Sequence, residues 1–444
     1  MTEISDHGYG SSVTAPPRGT QKTHRLFYGW WVLATLFLSG FMVYGGGLYS
    51  FVLFITPWTR EFGWSRATTA GLVSAFYFSA PFIALGAYAT KRFGAVRLLT
   101  VGIILEAVSV CLLPLTSALW QMYVLRVLMG FGKVMFAICV PVVLAIWFRR
   151  RLSFALAIAW AGWNLGGLIL GPVSSLIMVR YGWRTACVAI GAGLVLFALV
   201  PPLWVMKVRS PAALGLGRDG VAEEPGIAAD TGEALDGAQA RNGKDSSDGA
   251  LLHSGAFWLI ALATAAFYTA LAGVMTHQAA LVESAGYSAR IAAIVLGSTA
   301  GFAAASGPLI GLLLDRGYLL RTGTLMHLLL LGSVLVLSFV AHVQSVGALL
   351  LYAILFGLTL GGSDVSWVAL VRCRFPELSV ARTYSAWYFV EIATLGLAPV
   401  GVGGLFDWTR SYSQTMLALI VPIVLSFTCL LLDAETRRRL RLHV

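Results

Sequence analysis

The chain has 444 residues, of which 58% are hydrophobic and 11% charged, with a mean hydropathy of +0.80. That balance excludes a soluble globular domain and leaves a polytopic membrane protein. The net charge of +11 at pH 7 reads as membrane topology and contact with anionic lipid, not as a nucleic-acid footprint, because the basic residues cluster on one side of the expected membrane.

Residues 1–26 are polar and lack the apolar core and small-residue cleavage site of a secretory signal, so they are expected to form a cytoplasmic tail. A hydrocarbon core takes about 20 helical residues to cross. Stretches of that kind fall near 27–55, 69–90, 97–117, 119–148, 153–179, 184–206, 255–281, 289–314, 319–342, 346–371, 384–407 and 412–433. The expected fold is all-α, with twelve transmembrane helices in two pseudo-symmetric six-helix bundles, 27–206 and 255–433. Residues 207–254 read as a flexible cytoplasmic linker, since Pro211 to Ser254 is rich in Gly, Ala, Asp and Glu. Residues 434–444 form a basic cytoplasmic tail in this scheme.

Charge sets the orientation. Lys91, Arg92, Arg97, Arg149, Arg150, Arg151, Lys207, Arg209, Arg316, Arg321, Arg372, Arg374, Arg382 and the arginines of 437–441 all fall on the side of the N-terminus. Both termini are therefore expected in the cytoplasm of a prokaryotic cell, with the protein in its cytoplasmic (inner) membrane. The five cysteines lie in or beside the spans with no metal-ligand spacing, and read as small apolar side chains.

The two halves echo one another. Gly171-Pro172 in span 5 answers Ala398-Pro399 in span 11, 227 residues later, and Arg92-Phe93-Gly94 after span 2 answers Asp315-Arg316-Gly317 after span 8. Internal repeats of this sort build transporters whose substrate site lies near the midplane between the halves. By the same offset Asp364 corresponds to residue 137, one turn from Lys133, and Glu391 to Asn164.

Ionisable residues inside such helices mark function by default, because a cation at bilayer depth costs at least ~2.5–3.5 kcal/mol. Lys133 lies near the middle of span 4, seven residues after Arg126 and on the same helical face. It is the first candidate to meet an anionic substrate. The bland reading of Lys133 is a buried pair with Glu106 of span 3. Arg126 is a second candidate, although packing and backbone contact explain it equally. Asp364 and Glu391 each lie roughly 10 Å from the cytoplasmic boundary by helix rise and suit proton coupling. Their bland reading is a gate with Arg372 and Arg374. His277, at the outer end of span 7, could titrate or bind a ligand. Tyr44, Tyr49, Trp160, Trp163, Asn164, Tyr268, Trp387 and Tyr388 are candidate cavity liners.

The run Arg126-x-x-x-Gly130-x-Gly132, the run Gly167-x-x-x-Gly171-Pro172 and the loop Gly311-Leu312-Leu313-Leu314-Asp315-Arg316 make the chain resemble the major facilitator superfamily along nearly its whole length. Four further segments resemble its branch of monocarboxylate porters and oxalate/formate exchangers. They are Tyr28-Gly29-Trp30-Trp31-Val32, Glu61-Phe62-Gly63-Trp64-Ser65-Arg66, Tyr181-Gly182-Trp183-Arg184, and His277 followed by Ala285-Gly286-Tyr287-Ser288. The resemblance implies a conformational latch at Asp315 and Arg316. In the first half Lys91 stands where that latch usually has its acid. Carboxylate porters of this branch tend to carry a base in span 1, 8 or 11, but here only span 4 supplies cations well inside the membrane.

No phosphate-binding loop and no nucleophilic triad is present, so neither ATP nor enzymatic catalysis is expected. No cofactor or metal is expected. The function expected is secondary active transport of a small organic anion, a mono- or dicarboxylate, coupled to protons, by a monomer. The alternatives are efflux of an amphipathic drug-like or siderophore-like compound, and a membrane sensor that keeps the fold but moves nothing.

Overall fold

The computed structural model describes residues 27–64, 86–220, 254–375 and 380–432, with isolated positions between 65 and 85. Every element among the described residues is helical. Hydrocarbon offers the backbone no hydrogen-bond partners, so each apolar stretch satisfies its own amides by closing into a helix.

Helix α1 (Gly29–Tyr44) passes into a π-helical stretch at Gly45–Tyr49 and a 3-10 turn at Ser50–Phe54, before the short α2 (Ile55–Phe62). Three consecutive glycines let this stretch lie directly on its neighbours. A Cβ at Gly45 would meet the backbone of Gly166, and one at Gly47 the Glu106 carboxyl. Trp58 of α2 is fully buried against Phe51, Phe54 and Trp183. Beside it, Glu61 accepts hydrogen bonds from the Trp183 indole and the Arg184 guanidinium. The indole bond first, and Arg184 with it, hold the Glu61 carboxyl below the usual range.

The second expected span, 69–90, lies largely outside the described residues, which resume at α3 (Gly86–Phe93). Then come α4 (Ala95–Leu112), α5 (Leu119–Trp147) and α6 (Leu152–Gly193). Spans 5 and 6 run together in α6, with the turn at Gly182, whose φ of +83° an L side chain rarely adopts. A π-helical stretch at Leu194–Leu199 and α7 (Val200–Val205) complete the first half. The linker begins with 3-10 turns at Pro211–Leu214 and Arg218–Gly220, and the rest of the expected flexible segment lies outside the described residues.

The second half contains α8 (Gly255–Ser284), α9 (Ala289–Asp315), α10 (Leu319–Val343), α11 (Val346–Arg374), α12 (Val380–Thr409), α13 (Tyr412–Ala418) and α14 (Ile420–Leu432). Ten helices among the described residues are long and apolar enough to cross a membrane, and the stretch Leu152–Val205, at 54 residues, is long enough for two crossings. The 227-residue offset is visible in the packing. Gly130 of α5 lies against the backbone of Phe76, and Gly357 of α11 against Ala303, at matched positions of the two halves.

The halves meet along two seams. On one, Gly311 of α9 packs on the start of α6, where a side-chain carbon would sit 2.7 Å from the Ser153 carbonyl oxygen and 2.7 Å from the Phe154 Cα. On the other, Gly86 of α3 faces the Ser385 hydroxyl of α12.

Candidate functional site

Helix α5 carries Lys133 into the protein interior, where 3% of its surface is exposed. Gly130 and Gly132 lie flush against neighbouring backbones, which draws α5 deep between its neighbours. The ammonium lies 5.2 Å from the ring centre of Tyr44, 5.6 Å from that of Tyr388 and 5.7 Å from that of Phe76. Such faces attract a desolvated cation. Tyr44 belongs to the first half and Tyr388 to the second, so Lys133 sits on the boundary. The acids whose charge acts on it are Glu391, Glu106 and Asp364.

The simple pair with Glu106 is not formed. Both Glu106 oxygens are buried without a hydrogen-bond partner among the described residues, because the Lys133 chain leans toward the aromatic rings and the second half. The gate with the inner arginines is not formed either. Asp364 accepts a hydrogen bond from the Tyr268 hydroxyl at 2.6 Å and a longer one from Ser363 at 3.4 Å. Arg372 faces Arg218 and Asp315, and Arg374 lies over the Phe375 ring. Glu391 of α12 is 5% exposed and feels the charges of Asp364 and Lys133.

Aromatic rings join the two halves around this cluster. Tyr44 stacks on Trp163 with ring centres 3.9 Å apart, and its hydroxyl lies 3.3 Å from that of Tyr388. Trp160 packs edge-on against Trp163 and, across the boundary, stacks on Tyr384 at 6.5 Å. Tyr384 in turn stacks on Tyr388 and touches Trp387, which packs against Tyr268. Buried donors are rarely left unpaired in native proteins. Here the indole N–H groups of Trp160, Trp163 and Trp387 and the hydroxyl of Tyr384 are buried with no hydrogen-bond partner among the described residues.

The remaining candidates flank the cluster. Arg126 is fully buried, donates to the carbonyls of Leu72 and Gly47 at 3.1 Å each, and has the rings of Phe51 and Phe76 within 4.6 and 4.9 Å. Its guanidinium thus ties α5 to the second span and to the π-helical stretch. Tyr49 is 38% exposed, with its ring against Gly167. Asn164 is half-buried beside Trp163. His277 packs near Tyr412, nine residues and about 13 Å of helical rise from Tyr268. Tyr384 is the member that sequence reading missed. Its one signal was the spacing of three and four residues to Trp387 and Tyr388, which places all three on one face of a helix.

At the end of the molecule that carries Arg149–Arg151, Asp315 crosses between the halves. Its two carboxylate oxygens accept the backbone N–H groups of Ser153 and Phe154, each at 2.9 Å. The first amides of a helix have no partner of their own, so an acid from α9 caps α6. Arg316 is exposed, and its side chain has no hydrogen-bonded partner among the described residues. Asp219 makes a similar contact from the linker, accepting from the N–H groups of Arg149 and Arg150 at 3.1 and 2.8 Å.

Known proteins match this architecture. The Major Facilitator Superfamily model matches residues 32–399. The chain is 31% identical over 205 residues to Monocarboxylate transporter 11 of Homo sapiens, which covers 43% of this chain and 42% of that protein. It is 28% identical over 185 residues to Probable anion transporter 4, chloroplastic, of Oryza sativa subsp. japonica, covering 40% of this chain and 31% of that protein. The matched stretches therefore span about a third to two fifths of these relatives. A structure of the proton:xylose symporter XylE superposes with a TM-score of 0.70 at 14% identity, covering 91% of this chain and 94% of that one, which is a likeness of fold. Repeated halves, two seams between them, ionisable residues at their boundary and a family match along most of the sequence lead to one assignment: the chain belongs to the major facilitator superfamily.

Proposed function

We propose that the protein moves a small organic anion, a mono- or dicarboxylate, together with protons, by alternating access of its two halves. As a member of this superfamily it is a multi-pass membrane transporter and not an enzyme. The relatives named for monocarboxylates and anions support the substrate class.

One observation carries the reading. The aromatic wall that contains Tyr44 and Tyr388, whose rings face Lys133, also carries three indole N–H groups and one hydroxyl without a hydrogen-bond partner among the described residues, that of Trp163 lying against Gly40 of α1. A cation in a wall that carries unsatisfied donors complements a carboxylate, which only accepts. Charge balance then supports proton coupling. Arg126 and Lys133 bring two positive charges to this region, and Glu106, Asp364 and Glu391 three carboxyls. Buried charge has to be balanced, so the empty site holds one proton, and a bound monocarboxylate brings in a second. In this reading Asp364 and Glu391, which face the substrate boundary, take up the proton that travels with the anion. Asp315 latches the cytoplasmic end while the outer side loads.

Residues 27–206 and 255–433 act as the two moving bodies, joined by 207–254. The protein sits as a monomer in a prokaryotic cytoplasmic membrane with both termini inside. A second reading, efflux of an amphipathic compound, draws on the same wall of rings.

Counterflow in proteoliposomes separates them. Wild-type protein is expected to exchange labelled mono- or dicarboxylates, and Lys133→Ala to lose exchange completely at near-normal membrane levels. Normal exchange by that variant removes Lys133 from the site, and dye extrusion without carboxylate exchange moves the protein to the second reading.

A further inference from the structure

Glu106 is a buried acid with neither oxygen hydrogen-bonded among the described residues, as is Glu391, but Lys133 leans toward Glu391 and away from Glu106. It lies on α4 at 0% exposure, its Cβ against Gly132 of α5 and its carboxyl against Gly47 of the π-helical stretch. The charged groups that face it, Arg126 and Lys133, both come from α5. Span 1 meets it at glycine, and Cys187 of α6 faces Arg126 and Cys111 instead. Each cation is engaged elsewhere. Arg126 donates to two backbone carbonyls between two phenylalanine rings, and Lys133 leans toward Tyr44, Tyr388 and Glu391. An ionised carboxylate so placed would be buried without hydrogen bonds, the costliest arrangement a side chain can adopt.

We infer that Glu106 holds the resident proton of the empty site and acts as the alternate partner of Lys133. Glu106 and Lys133 both belong to the first half, so movement of the halves leaves their helices in place. Glu391 and Asp364 belong to the second half and move away from Lys133 when the boundary opens. At that point the Lys133 ammonium turns back to Glu106. The O–H bond of the Glu106 carboxyl breaks, its proton leaves to water on the open side, and the carboxylate pairs with the ammonium. When Lys133 re-engages the second half or an anion, Glu106 takes a proton from that same water. Glu106 is thus a positioning residue that sets when Lys133 is available. The inference rests on the proton-coupled reading for its role in transport, whereas its test needs no solute.

Infrared difference spectra of the purified full-length protein in lipid, neutral against strongly alkaline, report protonated carboxyls through their C=O stretch and its shift in heavy water. The expected result is such a band in wild type, its loss in Glu106→Gln, and its survival in Glu391→Gln, which keeps Glu106 and needs no change at that site. A wild type without the band, a band that persists in Glu106→Gln, or one that vanishes in Glu391→Gln or Asp364→Asn overturns the inference. If Glu106→Gln does not reach the membrane, the Glu391→Gln and Asp364→Asn spectra decide it. Because no solute is present, a failure here is distinct from failure of the carboxylate reading, which the Lys133→Ala exchange assay decides alone.

Discussion

Lys133 holds its charge against π faces of both halves and beside the acids of the second, which is how a cation is tolerated at a depth where it would otherwise cost several kcal/mol. Its anomaly was legible in the sequence because apolar surroundings make any charge conspicuous. The donors around it were less so, since tryptophan and tyrosine serve as often in membrane-interface belts as in cavities. Trp160, Trp163 and Trp387 are buried with unpartnered N–H groups among the described residues, and so is Trp58 far from Lys133, so position and not burial marks the site. Trp387→Phe keeps a ring against Tyr268 and Tyr384 and removes only the indole N–H. A hydrogen bond to a charged group contributes about 1.5–3 kcal/mol, so the carboxylate concentration for half-maximal counterflow should rise roughly ten- to hundredfold. An uncharged aromatic solute should show no change, and equal carboxylate affinity in the two proteins would take the indole out of the site. Arg126 went the other way. Its bonds to Leu72 and Gly47 make it a bracket between helices, a role that one sequence leaves undecided.

Among the elements, α6 bears the contacts that close one end. Asp315 caps its first amides from the opposite half, and Gly311 packs directly on the same turn. The family resemblance implies an Asp315–Arg316 latch; Asp315 meets the amides of Ser153 and Phe154 in the other half, and Arg316 has no hydrogen-bonded partner among the described residues. Asp315→Ala should remove about 0.5–2 kcal/mol from the closed arrangement, which shifts the population open at this end by roughly 2- to 30-fold. The check is labelling of a cysteine placed at Ser153 by an impermeant maleimide in inverted vesicles, with Cys373 replaced by serine. Unchanged labelling would mean that Asp315 does not hold this end shut. The π-helical stretch at Gly45–Tyr49 is the other element with consequences. Its glycines let the Glu106 carboxyl and the Arg126 guanidinium approach the backbone of span 1.

At the scale of the whole molecule, the proposed site draws on residues of both halves. Lys133, Glu106, Tyr44, Trp160 and Trp163 come from one, and Tyr268, Asp364, Tyr384, Trp387, Tyr388 and Glu391 from the other. Charge balance across that boundary makes a definite prediction. One monocarboxylate moving with one proton carries no net charge, so uptake into proteoliposomes should follow an imposed pH gradient. It should be indifferent to a potassium-diffusion potential set with valinomycin. Uptake driven by the potential alone would contradict a balanced cluster.

By itself the sequence determined the all-helical membrane fold, the echo between the halves and the placing of Lys133 within an apolar span. These follow from local chemistry, namely runs of apolar residues, repeated Gly and Pro positions and a charge set in hydrocarbon. Tertiary structure alone decided which partner each charge takes. Glu106 and Lys133 are near in depth and plausible as a pair, yet the ammonium's position is set by rings from α1 and α12. Asp364 likewise turned to Tyr268 instead of the nearby arginines. A buried side chain chooses among contacts of similar energy according to which distant helices reach it, and that information is spread over the whole chain.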